Sequence, residues 1–430
     1  MKFKSAVTGV SVIILAILVG ACSAKESKTP ETTQVPVSAT PVITKDPVNL
    51  AFHGPNPMEL FMEQHGNYVQ KKFSNFSFTK LLSTIEDGIA AGMDIDLIYQ
   101  SDLNMPPFVD LGALHDLSDL AKKFNFDLSA FEPATLESAK KIGGGKLIAL
   151  PYRVNTFSLF YNKDLFDRFG VPYPKNGMTW DEVYELAKKL TRVEGGVQYK
   201  GFDINTPENF LSQNQYSAEL VNPQTNKAAL EDDAWKKIFS NFLRFYQIPG
   251  NNTNTGNNDF VKGTTAMLIN NSGNFPAYVR ASNDTGFKWD VVTLPEFSDR
   301  RGVGAQPSVS YYMIYEKSKR KEETFAAIMA LVSEEVMLEK SRTGVASPLK
   351  SKVVNDAFGS GIQEMKDLHP LNMLPVNMAA PTTITKFTAT VKKEMQDAFA
   401  KVIKGETDIN TALRIAAEAS DKKIAQQLAK

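Results

Sequence analysis

Cysteine and histidine, from which most metal and nucleophilic centres are assembled, are nearly missing here: the 430-residue chain has one Cys and four His. A single thiol forms no internal disulfide, so the fold must rest on an ordinary apolar core. His53, His65 and His115 stand far apart without ligand spacing and His369 precedes a proline, so no zinc motif is present. A G-x-S-x-G elbow, an H-E-x-x-H helix and a P-loop are missing too. Gly143-Gly144-Gly145-Lys146 lacks the glycine spacing and the Ser/Thr of a phosphate cradle and reads as a hairpin turn. No catalytic residue, metal or cofactor is expected. Charge of one sign is also absent, since 48 Lys and Arg balance 48 Asp and Glu without a block of either. That leaves no footing for nucleic acid or for an electrostatic membrane patch.

Residues 1–21 have the layout of a cleaved export signal: Lys2 and Lys4, then an apolar run from Val10 to Val19, then Gly20 and Ala21. The run is short of the roughly 20 apolar residues that span a bilayer. The sole cysteine follows, and Leu18-Val19-Gly20-Ala21-Cys22 resembles the lipobox at which bacterial lipoproteins are lipidated and cut. On that resemblance Cys22 becomes the lipidated N-terminus, anchoring the protein to the cell membrane on its extracytoplasmic side; the plainer alternative is a secretory signal that happens to end in Cys. Residues 22–47 continue with recurring Pro, Thr and Ser, a composition that stays extended and solvated and reads as a tether.

The remainder is too long for one core and suits two lobes. Short apolar runs alternate with helical stripes: strand Val48–Phe52, helix Pro57–Phe73, strand Phe76–Phe78, helix Leu81–Ala91, strand Ile95–Tyr99, helix Leu114–Phe124. Such alternation implies α/β architecture with a parallel sheet covered on both faces. Ligands of open sheets sit beyond the carboxyl ends of the strands, which here are His53-Gly54-Pro55-Asn56 and Gln100-Ser101-Asp102. His53, Asn56, Gln100, Ser101 and Asp102 are therefore candidate contacts, although such loops also serve simply as turns and caps. Thr179 and Glu182 fit a capping box. Trp180, and Trp235 on the stripe Trp235, Ile238, Phe239, Phe242, Tyr246, read as core.

Gly145 to Thr191 carries a glycine turn, Leu150-Pro151, Tyr161-Asn162-Lys163-Asp164-Leu165-Phe166, Gly170-Val171-Pro172 and Thr179-Trp180-Asp181-Glu182. Phe260-Val261-Lys262-Gly263 with Ala266-Met267, Val291-Val292-Thr293-Leu294-Pro295 and Val332-Ser333-Glu334-Glu335 follow in order. In this combination the chain resembles the family 1 extracellular solute-binding proteins, the group of maltose-binding protein. The resemblance implies a two-lobed periplasmic-binding-protein-like fold, each lobe a mainly parallel sheet flanked by helices, with the ligand cleft between. Lobe 1 would comprise residues 48–153 and 308–355, lobe 2 residues 154–307, and residues 356–430 C-terminal helices mainly of lobe 2. It further implies a monomeric receptor that captures a small solute, a carbohydrate or oligosaccharide, and delivers it to the permease subunits of an ABC importer. Arg153, Asn155, Asn274, Phe275 and Tyr311 join the candidate contacts at the crossovers.

Two departures stand out. Ala91-Gly92-Met93-Asp94-Ile95-Asp96 lacks the family's proline, and Asn271-Ser272-Gly273-Asn274-Phe275 stands where a glycine and then a tryptophan are usual, which leaves Phe275 as the candidate sugar-stacking ring. A receptor of the same fold serving a sensor or a non-sugar solute, and a surface glycosidase using two carboxylates, remain as alternatives.

Overall fold

The computed structural model describes residues 44–374 and 377–429; Cys22 and the signal and lipobox readings lie outside the described residues. Nine strands organise the body: β1 (Val48–His53), β2 (Phe76–Lys80), β3 (Leu97–Ser101), β4 (Leu150–Asn155), β5 (Phe157–Asn162), β6 (Asp203–Ile204), β7 (Met267–Asn271), β8 (Trp289–Thr293) and β9 (Ser308–Ile314). One sheet has the order β2-β1-β3-β9-β4 and the other β8-β5-β7-β6. β1 runs parallel to β2 and β3, whereas β9 is antiparallel to both neighbours; in the second sheet β5 is the reversed strand and β7 runs parallel to β6. Each sheet thus has one strand against the common direction. In both it is the strand that has just entered from the other sheet: β4 leads through Thr156 into β5, and β8 leads through 294–307 into β9. The chain crosses once more when the segment after Lys352–Asp356 reaches Thr388–Ile403 and Ile409–Leu428, whose Val391, Met395, Phe399 and Leu413 share a core with Trp180 and Trp235.

Local chemistry explains most elements. Thr179 and Glu182 form the reciprocal capping box that opens helix Trp180–Leu190. Trp180 is buried, donating through Nε1 to Gln215 Oε1 at 3.0 Å, with Phe242 edge-on at 4.7 Å. Trp235 is buried on the apolar stripe of Asp233–Tyr246. Leu147 to Leu150 are buried where Gly143–Lys146 turns the chain toward β4.

Boundaries moved where a tertiary partner intervened. The third strand begins at Leu97, because the Asp96 carboxylate is taken by Ala51 N–H at 2.9 Å and Ser318 Oγ at 2.6 Å instead of the alternation continuing outward. The expected helix Leu81–Ala91 contracts to Ile85–Ala90, since the Leu81 amide still bonds the Phe52 carbonyl at 2.8 Å and Thr84 caps the helix. Leu114 bridges to Tyr315, so the next helix starts only at Ser118. The long helix expected from Pro57 contains a π-helical turn at Met62–Gly66, a rare widening that carries His65 inward.

Candidate functional site

The carboxyl edges of the two sheets meet at Thr156. Its amide donates to Ser272 Oγ at 3.2 Å, and the Ser272 amide donates back to the Thr156 carbonyl at 2.8 Å. Around this junction the first lobe contributes the ends of β1, β3 and β4, and the second lobe the segments after β6 and β7. Crevices of this kind seat ligands because strand ends present unpaired polar groups at one level.

On the first-lobe side the His53–Asn56 loop is pinned from beneath by Tyr99. A Cβ at Gly54 would stand 2.0 Å from the Tyr99 ring, and the Asn56 amide donates to the Tyr99 hydroxyl at 3.0 Å. Asn56 Nδ2 is engaged by Gln64 Oε1 at 2.9 Å. His53, beside Phe108, has no hydrogen-bond partner for Nδ1 among the described residues, and burial holds its pKa below the usual imidazole value. Gln100 and Ser101 are half-buried at the end of β3, and Asn104 leans to Gln100 Oε1 at 3.4 Å.

Three of the sequence candidates are committed to the fold. Asp102 is 2% exposed and accepts from the Leu103 amide at 2.8 Å and the Val309 amide at 2.9 Å, so it clasps the start of β9 and does not face a ligand. Burial pushes its pKa up to about 6, against those two hydrogen bonds and Lys392. Tyr311 is wholly buried and its hydroxyl donates to the Thr135 carbonyl at 2.6 Å. Phe275, at 3% exposure, packs edge-on to Phe358 and against Gly344, so its ring is core and offers no open platform. Each was misread because its partner lies far away in sequence.

Arg153 and Asn155 are half-buried on the same side of β4, with Arg153 Nε donating to Asn155 Oδ1 at 3.3 Å. The guanidinium reaches across to the second lobe, where a Cβ at Gly273 would lie 2.6 Å from Nη2. Burial lowers its pKa, and no carboxylate among the described residues offsets that cost. Asn274 is exposed and donates to Asn270 Oδ1 at 3.0 Å, which also receives Asn205 Nδ2 at 2.9 Å.

Sequence reasoning missed the other side of the crevice. Lys392, from helix Thr388–Ile403, donates to Asn209 Oδ1 at 2.7 Å, and both Glu208 and Asp102 favour its charge while burial lowers its pKa. The polar run Asn205-Thr206-Pro207-Glu208-Asn209 directly after β6 was the available signal, with Thr206 at a left-handed φ of 50°. The site is thus amide-rich, with one cation from each side. Among the described residues no group of acidic, His or Cys side chains could hold a metal ion, and no helix is long and apolar enough to cross a membrane.

A cavity of about 200 Å³ adjoins this junction, lined by Thr156, Thr293, Glu296, Gly304, Asn372 and Asn377 among others. None of the sequence candidates lines it. Its walls come from the strand ends Phe157 and Thr293 and from the connections that join the two sheets.

The family model of the bacterial extracellular solute-binding proteins matches residues 57–338. The chain belongs to this family. It is 23% identical over 345 residues to the sn-glycerol-3-phosphate-binding periplasmic protein UgpB of Rhizobium meliloti (strain 1021), with 73% of this chain and 76% of that protein covered. To UgpB of Brucella abortus (strain 2308) it is 25% identical over 219 residues, 46% and 47% of the two chains. Among solved structures, a sugar transporter from Rhizobium etli in an open conformation superposes with a TM-score of 0.73 at 20% identity, covering 87% of this chain and 99% of that one. The cyclic alpha-maltosyl-1,6-maltose binding protein of Arthrobacter globiformis gives a TM-score of 0.69 at 18% identity, covering 88% and 99%. The fold is therefore the two-lobed one expected, with one reversed strand in each otherwise codirectional sheet. A solute-binding protein of this family binds and releases; the crevice at Thr156 is its candidate seat.

Proposed function

We propose that the chain is a lipid-anchored receptor that closes on a carbohydrate at the Thr156 crevice and hands it to the permease subunits of an ABC importer. The observation that carries this reading is the approach of polar side chains from both lobes on Gly273, where Arg153 Nη2 and Asn155 Oδ1 of one lobe come beside Asn271 Oδ1 of the other. Sugars need many paired donors and acceptors rather than a strong field. The sugar-binding names of the superposing structures support the same class. Arg153 favours a second reading, a phosphorylated polyol such as the ligand named for the UgpB relatives, because its guanidinium lacks a carboxylate partner among the described residues.

A thermal-shift screen over mono- and oligosaccharides with sn-glycerol 3-phosphate tests both readings. A ligand at a hundred times its Kd adds about 2.7 kcal/mol to native stability. A carbohydrate hit supports the first reading and a hit from the phosphate alone the second; no shift from either class sinks both. The anchor rests on the lipobox. Cys22→Ala is expected to abolish incorporation of labelled fatty acid and release the protein from the membrane fraction, and an unchanged lipidated product would end that reading.

A further inference from the structure

The three connections between the sheets enclose a space that the candidate ligand contacts leave untouched. The crossing strands lie together at one edge of each sheet, β9 and β4 in the first, β8 and β5 in the second. In the second lobe the crevice groups stand on one side of β5, since Asn205 follows β6 and Asn271 ends β7. The cavity of about 200 Å³ takes Thr293 from the end of β8, on the other side of β5. All three connections line it: Thr156 from the first, Leu294, Glu296 and Gly304 from the second, and Asn372 from the third.

Its walls are fixed without an occupant. Asn176 accepts from the Thr293 amide at 3.0 Å and donates to Asn372 Oδ1 at 2.9 Å, while Asn372 Nδ2 donates to the Val291 carbonyl at 2.9 Å. Ser158 Oγ donates to the Asn372 carbonyl at 3.0 Å, so the third connection is stitched to the second sheet. Thr293 Oγ1 accepts from the amide of Gly177, another wall residue, at 3.1 Å, which keeps that side chain at the cavity. One water needs only about 10–15 Å³ of such space, and drug-sized ligands take about 300 Å³ or more. The volume between suits a polyol or a monosaccharide. Charge narrows the class further. None of the described wall residues is Lys, Arg or His, so an anion finds no partner, and the one carboxylate, Glu296, is already met by Arg301 Nε at 3.0 Å. Amides, hydroxyls and peptide groups remain, with Phe157 and Leu294 as apolar faces for C–H groups.

We propose that this cavity is a second binding site, for a small uncharged hydroxylated molecule, and that its occupancy favours closure of the crevice. The lobes turn about the connections, so a rotation that narrows the crevice on one side of them widens the space on the other. A molecule that fills the widened space is held better by the closed arrangement and shifts the population toward it. By linkage it raises affinity at the crevice by the same factor that the crevice ligand raises its own. This coupling rests on the crevice being the solute seat; the cavity and the chemistry of its walls do not.

The test titrates the full chain with glycerol, erythritol and D-glucose, following the 15N–1H resonances of the Asn176 and Asn372 side chains and of the Gly304 amide. At least one probe is expected to give saturable shifts that persist in Gly273→Ala and vanish in Thr293→Phe, whose ring fills the cavity. Small-angle scattering at saturation should show a smaller radius of gyration, and that change should also vanish in Thr293→Phe. Absence of saturable shifts with all three probes overturns the proposal, as do shifts that survive Thr293→Phe, or saturation at an unchanged radius. Should Thr293→Phe not melt cooperatively, Thr293→Met fills the same space with a more adaptable chain. A solute hit in the thermal-shift screen without these hinge shifts ends this proposal and leaves the receptor reading standing.

Discussion

Gly273 and Arg153 occupy one space from opposite lobes: a Cβ on Gly273 would meet Arg153 Nη2 at 2.6 Å, and Asn271 Oδ1 and Asn155 Oδ1 at 3.1 and 3.2 Å. The glycine is needed for that approach and not for its own backbone, because its φ is not left-handed. Gly273→Ala is thus expected to move the end of a flexible side chain at little cost to stability while disturbing the crevice. The melting temperature should stay within a few degrees of the parent. Affinity for the cognate solute should fall about tenfold, about 1.4 kcal/mol, by titration calorimetry. Equal affinity would place Arg153 outside the ligand's reach.

Phe275 gives the opposite signature. Its ring is nearly buried, and it fills the space above Gly344, where a Cβ would lie 2.3 Å from Phe275 Cζ. Phe275→Ala opens a cavity and should cost about 3–5 kcal/mol of folding free energy, read from denaturant midpoints. Phe275→Trp overfills the same space and should cost about 1–3 kcal/mol. A stacking platform would behave differently, keeping its stability on truncation and losing affinity.

The contrast between these residues shows what was legible in the sequence. Thr179 and Glu182, three residues apart, announced a capping box, and Trp180 and Trp235 announced core by helical spacing, because those interactions are local. The two-lobed fold followed from the ordered family motifs. Asp102 finds its second amide donor 207 residues away in Val309, and Phe275 meets Gly344 and Phe358. No local pattern encodes such pairings, so a polar strand end and an aromatic after a glycine both read as ligand contacts. Lys392 was missed for the same reason, since only the return of the last helices brings it beside Asn209. Arg153 and Asn155 needed no such partner to be located, because they sit beside the crossover itself.

Gln306 was not singled out from sequence, yet it ties the second crossing to the third. It is 3% exposed; Oε1 accepts from Thr382 N–H at 2.7 Å and Oγ1 at 2.9 Å, and Nε2 donates to the Asn214 carbonyl at 3.1 Å. Gln306→Ala strands those groups, at about 1–3 kcal/mol for each left buried and unpaired. Hydrogen exchange should accelerate at the Thr382 amide while the capped start of Trp180–Leu190 stays protected. Gln306→Glu keeps the acceptor and loses the donor, so Thr382 protection should largely return. Unaltered exchange in the alanine variant would mean that the connection is held elsewhere.

Asp102 sets a pH dependence that can be isolated by difference. Its folded pKa, raised by burial to about 6, lies above the unfolded value of about 3.9. A carboxyl shifted upward contributes its stability fully below the unfolded pKa and loses it as pH rises through the folded one. Between pH 4 and 7 this site should therefore cost the native state on the order of 2–3 kcal/mol, at about 1.4 kcal/mol for each pH unit of displacement. Asp102→Asn does not titrate and keeps one oxygen to accept from Leu103 or Val309, so other groups cancel between the two proteins. Denaturant midpoints measured from pH 4.5 to 7.5 should show the parent gaining on the variant as pH falls below about 6, at about 1.4 kcal/mol for each pH unit, with the difference levelling off above about pH 7. A flat difference would mean that the carboxylate ionises as it does in water and is not buried beneath β9.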